Sequence, residues 1–214
     1  MLLALLQTNP LAFLMLAVAL MEAIALHEFA HALVADLQGD RLPRAMGRLS
    51  LNPIRHLDPL GTIFLVLVGF GWGRPVEFRP QALSSRRFGA ALVALAGPGM
   101  NLLLSLAAGL GLAAVGPRIC PQGPLYSGGT PLQTFLLSFM WVNAVLAIFN
   151  LLPVPPLDGS RLLTIFLPPA KHRVIFFLDR WGMLILVAVV FFGSALLFSI
   201  SDFALSAVCG VVGL

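Results

Sequence analysis

Long apolar runs alternate with short polar ones along the chain. From Leu11 to about Leu37 nearly every residue is apolar. As a helix this run is roughly 40 Å long at 1.5 Å per residue, enough to cross a bilayer with some tilt. Asn9-Pro10 stands in front of it as a start signal, since proline is well placed in the first helical turn. A second run extends from about Phe88 to Val115, a third from about Leu132 to Leu152, and a last one from Trp181 onward. Between the first two lies a shorter run, Pro59 to Gly73, carrying Gly61, Gly69, Gly71 and Gly73. Its core, Leu60 to Phe70, is only about half a span. The pattern predicts an all-α polytopic membrane protein with about four full spans, plus a re-entrant or short fifth apolar segment at 59–73. Residues 38–58 leave room for a small β element, and 153–180 read as a proline-broken, then amphipathic, stretch.

Composition fixes the solvent. Apolar residues make up 59% of the 214 and charged residues 10%, with a mean hydropathy of +0.96. A soluble domain carries about a quarter charged residues, so the whole chain, 1–214, reads as one membrane domain. The net charge of +4 does not point to nucleic acid, because no basic run is interleaved with aromatics. All basic residues but Lys171 are arginines, and they sit in the polar stretches or at their edges. Stretch 38–58 holds Arg41, Arg44, Arg48 and Arg55, and stretch 74–87 holds Arg74, Arg79, Arg86 and Arg87. Stretch 116–131 holds Arg118 alone, and 153–180 holds Arg161, Lys171, Arg173 and Arg180. The positive-inside rule places the three richer stretches in the cytoplasm. Both flanks of 59–73 can lie inside only if that segment enters and returns. The N-terminus, stretch 116–131 and the C-terminus then lie outside. The first run lacks the basic start of a signal peptide, since Arg41 is the first cation, and is expected to be retained. Cys120 and Cys209 show no ligand spacing and read as two unremarkable thiols, with a disulfide between them as the unsupported alternative.

The chemistry begins inside the first run, at His27-Glu28-Phe29-Ala30-His31. Helical residues i and i+4 share a face, so both imidazoles point the same way and form half of a zinc site. Glu28 between them is placed to act as general base. A catalytic zinc takes a third protein ligand, and Asp158 is the candidate. It follows Pro153, Pro155 and Pro156, which must end the third helix there. The first and third spans run in the same direction, so His27, His31 and Asp158 lie at similar depth near the cytoplasmic face. Glu22, an intramembrane carboxylate, is a candidate for an auxiliary or structural role. His56 is a candidate extra ligand or gate, or else a hydrogen-bonded loop histidine. Asn101 must find a polar partner, near the active site or on another span. His172 reads as a solvated loop residue.

The pairing of His27-Glu28-x-x-His31 with Asn150-x-x-Pro153-x-x-Pro156-Leu157-Asp158-Gly159 resembles the two signatures of the site-2 protease family of intramembrane zinc metalloproteases. Residues 51–59 and 96–101 resemble its small bacterial branch, and the likeness covers nearly the whole chain. It implies one Zn²⁺ per chain on His27, His31 and Asp158, Glu28 as catalytic base, and Asn150 as a residue that positions an extended substrate strand, with Asn101 a weaker candidate for substrate contact. It also implies a single-span membrane-protein substrate and a place in a bacterial inner or plasma membrane. The PDZ and CBS domains of some members are expected to be absent. Oligomeric state is not legible. A prenyl-protein endopeptidase fits the proline-rich element poorly. A non-proteolytic metal-binding or transport protein, or an inactive scaffold, would have no need of Glu28.

Overall fold

The computed structural model describes residues 2–68, 71–116, 120, 123, 129–166 and 172–214. Arg118 and Lys171 lie outside the described residues, as do 69–70 in the short apolar segment and most of stretch 116–131. At Arg86, Arg87, His172 and Arg173 the backbone alone is described.

After a short helix α1 (Leu2–Thr8), the Asn9 side chain accepts from Ala12 N at 3.0 Å and caps α2 (Pro10–Leu37). Helix α2 ends where Gly39 takes φ +109°. The Gly39 amide then bonds Asp36 O and the Asp40 amide bonds Ala35 O, the paired closure that a left-handed glycine permits. Helix α3 (Leu42–Ala45) and α4 (Pro59–Val68) are short. Helix α5 (Arg86–Val115) carries Pro98 within it. Helix α6 (Pro131–Asn150) starts from a reciprocal cap between Thr130 and Gln133, and Gln133 Nε2 also holds Val115 O at 3.0 Å, joining the end of α5 to the start of α6. Helices α7 (Gly159–Phe166), α8 (His172–Phe192) and α9 (Ser194–Val212) complete the order.

Helices α2, α5 and α6 pack against one another and form the frame of the site. The buried face of α2 is largely alanine, including Ala19, Ala23, Ala30 and Ala35. Small side chains let helix backbones approach closely where lipid removes the hydrophobic drive between them. Leu14, Leu92, Leu103 and Leu110 on the same helices are exposed, as lipid-facing side chains would be.

Two expectations need correcting, the β element and the free thiols. Among the described residues, three helices are long and apolar enough to cross a membrane: Pro10–Leu37, Phe88–Val115 and Pro131–Asn150. The last apolar run, expected as a fourth span, forms two helices that meet at Gly193-Ser194, a pair of the kind that kinks helices. The small β element expected in 38–58 is not a strand. Pro43 and Pro53 each start a helical turn, Gly47 turns the chain at φ +72°, and the one pairing is an isolated antiparallel bridge from Leu57 to Gly73. Cys120 and Cys209, expected as unpaired thiols, form a disulfide across 89 residues of sequence.

The Leu57–Gly73 bridge joins the two ends of the short apolar segment, and Arg74 N adds a bond to His56 O at 2.7 Å. The segment therefore leaves and returns to one place. Both arginine-bearing stretches dock on the C-terminal end of α2. Asp36 accepts from Arg41 at 3.0 Å and from Arg44 at 2.9 and 2.7 Å. Asp40, fully buried, accepts from the Leu42 amide and from the amide, Nε and Nη2 of Arg79. Burial works against its charge, but the Arg79 and Leu42 donors outweigh it and hold the carboxyl below the usual range.

Candidate metal centre

Helix α2 brings His27 and His31 to one face with ring centroids 4.6 Å apart, both rings buried. Their Nε2 atoms are 3.0 Å apart. Asp158 reaches the same point from the other wall, its Oδ2 3.0 Å from His27 Nε2 and 3.2 Å from His31 Nε2. Prolines cause this convergence. Helix α6 stops at Asn150, and Pro153, Pro155 and Pro156 carry the chain through turns to Asp158 at the foot of α7. Among the described residues these three make the cluster whose geometry could hold a metal ion. Ligands about 2.0–2.2 Å from a tetrahedral zinc stand roughly 3.3–3.6 Å from one another, so the set closes with a slight spreading. Two neutral imidazoles and a carboxylate are a usual donor set for catalytic zinc.

The opposite ring nitrogens are tied back. His31 Nδ1 meets Val93 O at 2.6 Å and His27 Nδ1 meets Asn101 Oδ1 at 2.5 Å. Each Nδ1–H donates outward, which leaves Nε2 with its lone pair aimed at the cluster. Gly97 on α5 makes the room. A methyl there would stand 2.5 Å from His27 Nε2 and closer still to His31 Nε2. Gly97→Ala is therefore expected to cut metal occupancy sharply and, as α5 shifts away, to cost about 1–3 kcal/mol of stability. Metal content and thermal unfolding of the purified variant check both, and full occupancy would contradict it.

Glu28 lines the cavity of about 420 Å³ that contains the cluster. Its Oε2 accepts from Val76 N at 3.1 Å. That amide belongs to the non-helical stretch 71–79, which follows the short apolar segment and supplies Gly71, Trp72, Gly73, Pro75, Val76 and Phe78 to the cavity wall. On the other side Arg161 of α7 lies over the Phe78 ring at 4.8 Å. The stretch is thus held against the helix of the histidines and against the helix that follows Asp158.

The remaining candidates separate. Asn150 lines the cavity, its Nδ2 bonded to Leu146 O at 3.0 Å. Asn101 is fully buried behind His27 and does not line the cavity, so the expected substrate contact is not open to it. Of its two anticipated roles it fills both, touching the site and bridging to another span. His56 stands outside the metal cluster. It is fully buried, with Nε2–H donating to Ser50 O at 2.7 Å. Burial, opposed by that bond and reinforced by Arg48 and Arg55, lowers its pKa. Glu22 lies about 140° around α2 from His27, is half-buried, and does not line the cavity.

The profile of peptidase family M50 matches residues 15–120 and 127–193. This chain belongs to peptidase family M50. The site-2 protease resemblance carried by the motifs is the same assignment, and by it the M50 chain is a membrane metalloprotease. It is 36% identical over 174 residues to "Putative zinc metalloprotease YwhC" of Bacillus subtilis, covering 81% of this chain and 78% of that one. It is 33% identical over 175 residues to "Putative zinc metalloprotease Rip2" of Mycolicibacterium smegmatis, covering 78% of this chain and 63% of the relative. With Rip2 of Mycobacterium tuberculosis H37Rv the identity is 32% over 169 residues, covering 76% and 61%. No solved structure gives a significant match.

Sequence reasoning missed Val93, Gly97, Asn143, Val76 and Arg161. Asn143 carried a signal, as a lone amide in an apolar span. The others act through a backbone atom, a missing side chain or a long-range contact, none of which has a local pattern.

Proposed function

We propose that the chain is a zinc-dependent endopeptidase that hydrolyses a peptide bond within or near a membrane-spanning segment of another protein. The observation that carries this reading is the meeting of His27, His31 and Asp158 beside Glu28, at the end of a helix long enough to span. The zinc metalloprotease names of the relatives support the choice of metal.

His27, His31 and Asp158 would hold the zinc, which would supply polarisation of the scissile carbonyl and acidification of the attacking water. Glu28 takes the proton from that water and returns it to the leaving amine. The Val76 amide holds one Glu28 oxygen and so fixes which oxygen faces the reaction. A helical substrate hides its amides and must unwind first. Stretch 71–79 and the broken end of α6 at Asn150 offer backbone to pair with an extended substrate.

The active site faces the cytoplasm in this reading. The clusters of Arg41, Arg44 and Arg79 on Asp36 and Asp40 support it, because both arginine-bearing stretches gather at one end of α2. The returning segment 59–73 then enters the membrane without crossing it. The Cys120–Cys209 disulfide beyond the opposite end of α5 supports an outer, oxidising location for that side. His27 and His31 are then on the order of 10 Å deep, within reach of a short water channel.

Reconstituted with a single-span substrate, the protein should release two fragments. Chelation should stop the release and added zinc should restore it. Cleavage that persists in chelator would contradict a metal mechanism.

A further inference from the structure

The two histidines are held outward by acceptors of different kinds. His31 Nδ1 faces the Val93 carbonyl, which can only accept, so the His31 tautomer is fixed outright. His27 Nδ1 faces a side-chain amide, and an amide can turn over. Turned over, Asn101 would present its NH₂ to Nδ1, push the ring proton to Nε2 and remove the lone pair from the cluster. Something must hold Asn101 one way round.

Its partners do so. Asn101 Nδ2 donates to Ala23 O at 3.2 Å and to Asn143 Oδ1 at 2.8 Å. Asn143 in turn donates from Nδ2 to Phe139 O at 2.9 Å. Both ends of this chain are backbone carbonyls, so its direction is set. Phe139 O demands the Asn143 NH₂, which turns Asn143 Oδ1 towards Asn101. Ala23 O and Asn143 Oδ1 together demand the Asn101 NH₂, which leaves Asn101 Oδ1 for His27. All three side chains are buried, Asn101 and Asn143 completely, on three different membrane-spanning helices. Two amides in such a place are costly unless fully paired.

We propose that Asn143 on α6 is a positioning residue for the metal centre: through Asn101 it fixes the His27 tautomer, so that Nε2 is free to bind metal. The proposal rests on His27 being a metal ligand. It makes metal affinity depend on a residue that touches neither the metal nor the cavity.

The test compares native protein with Asn143→Leu, Asn101→Leu and the double variant, purified in detergent. Zinc affinity is measured by chelator competition. ¹⁵N-histidine spectra of the metal-free proteins are recorded at a pH above the imidazole range. Asn143→Leu should weaken zinc binding about 10- to 100-fold, the usual size of an outer-shell loss. The double variant should lose no more than Asn101→Leu alone, because both act on one ring. Native His27 should carry its proton on Nδ1, and Asn143→Leu should mix the tautomers. A merely structural asparagine would lower the unfolding temperature and leave zinc affinity and tautomer unmoved, and that result would overturn the proposal. So would additive losses in the double variant. Should the variant fail to fold, a native His27 carrying its proton on Nε2 would overturn it alone. Native protein that takes up no zinc would instead remove the metal reading, while the tautomer comparison still decides this one.

Discussion

Glu28→Gln is expected to slow peptide-bond hydrolysis about 10²- to 10⁴-fold, the range for losing a positioned general acid–base, while zinc stays bound. Glutamine is nearly isosteric with glutamate, and its carbonyl oxygen can still accept from Val76 N. The cavity wall and the three-atom cluster therefore keep their shape. What is lost is the capacity to take a proton from water and give it to the leaving amine. Initial rates on a single-span substrate, with zinc content determined on the same preparation, measure the two effects separately. Substantial proteolysis by the variant would remove Glu28 from its role. Loss of zinc would show that Glu28 acts on the metal instead.

Asp158→Ala is expected to release the metal. The aspartate supplies one of three converging atoms and the only negative charge among them, 3.0 and 3.2 Å from the two imidazole nitrogens. Its removal should weaken zinc binding by more than the roughly 10- to 100-fold typical of outer-shell changes. Helix α7 should survive, because Asp158 contributes its backbone carbonyl to Arg161 N and alanine keeps that bond. Zinc content after dialysis against a chelator that native protein withstands is the measurement. An unchanged content in folded variant would remove Asp158 from the ligand set.

Much of this was legible in the sequence because the deciding signals are local. Asn9-Pro10 announces a helix start, and the extent of the apolar runs marks the rest, so α2 and α6 came out within a residue or two. The prolines around Val154 announced the break that delivers Asp158. The arginine distribution led to the expectation that 59–73 returns, and the structure pairs Leu57 with Gly73 at the two ends of that segment. The arginines themselves were read only as topology signals. Their pairing with Asp36 and Asp40 could not be read, since Arg79 meets Asp40 across 39 positions. Hydropathy alone does not register the Gly193-Ser194 break that divides the last apolar run into α8 and α9. Asn101 was recognised as a residue needing a partner. Choosing among partners on other spans required the packing of α2, α5 and α6, which places Asn143 and His27 on either side of it. Gly97 was legible only as part of a familiar stretch, because its role is the absence of a side chain beside two imidazoles.

The central claim is that one zinc, held by two histidines of α2 and by Asp158 beyond the end of α6, serves to cut a substrate at membrane depth. Mass spectrometry of the products from a single-span substrate, with zinc per chain determined in the same sample, tests it most directly. The account predicts one zinc per chain and a cut inside or at the cytoplasmic border of the apolar segment. Zinc-loaded protein that cuts only in exposed loops, or that leaves the substrate intact, would contradict it.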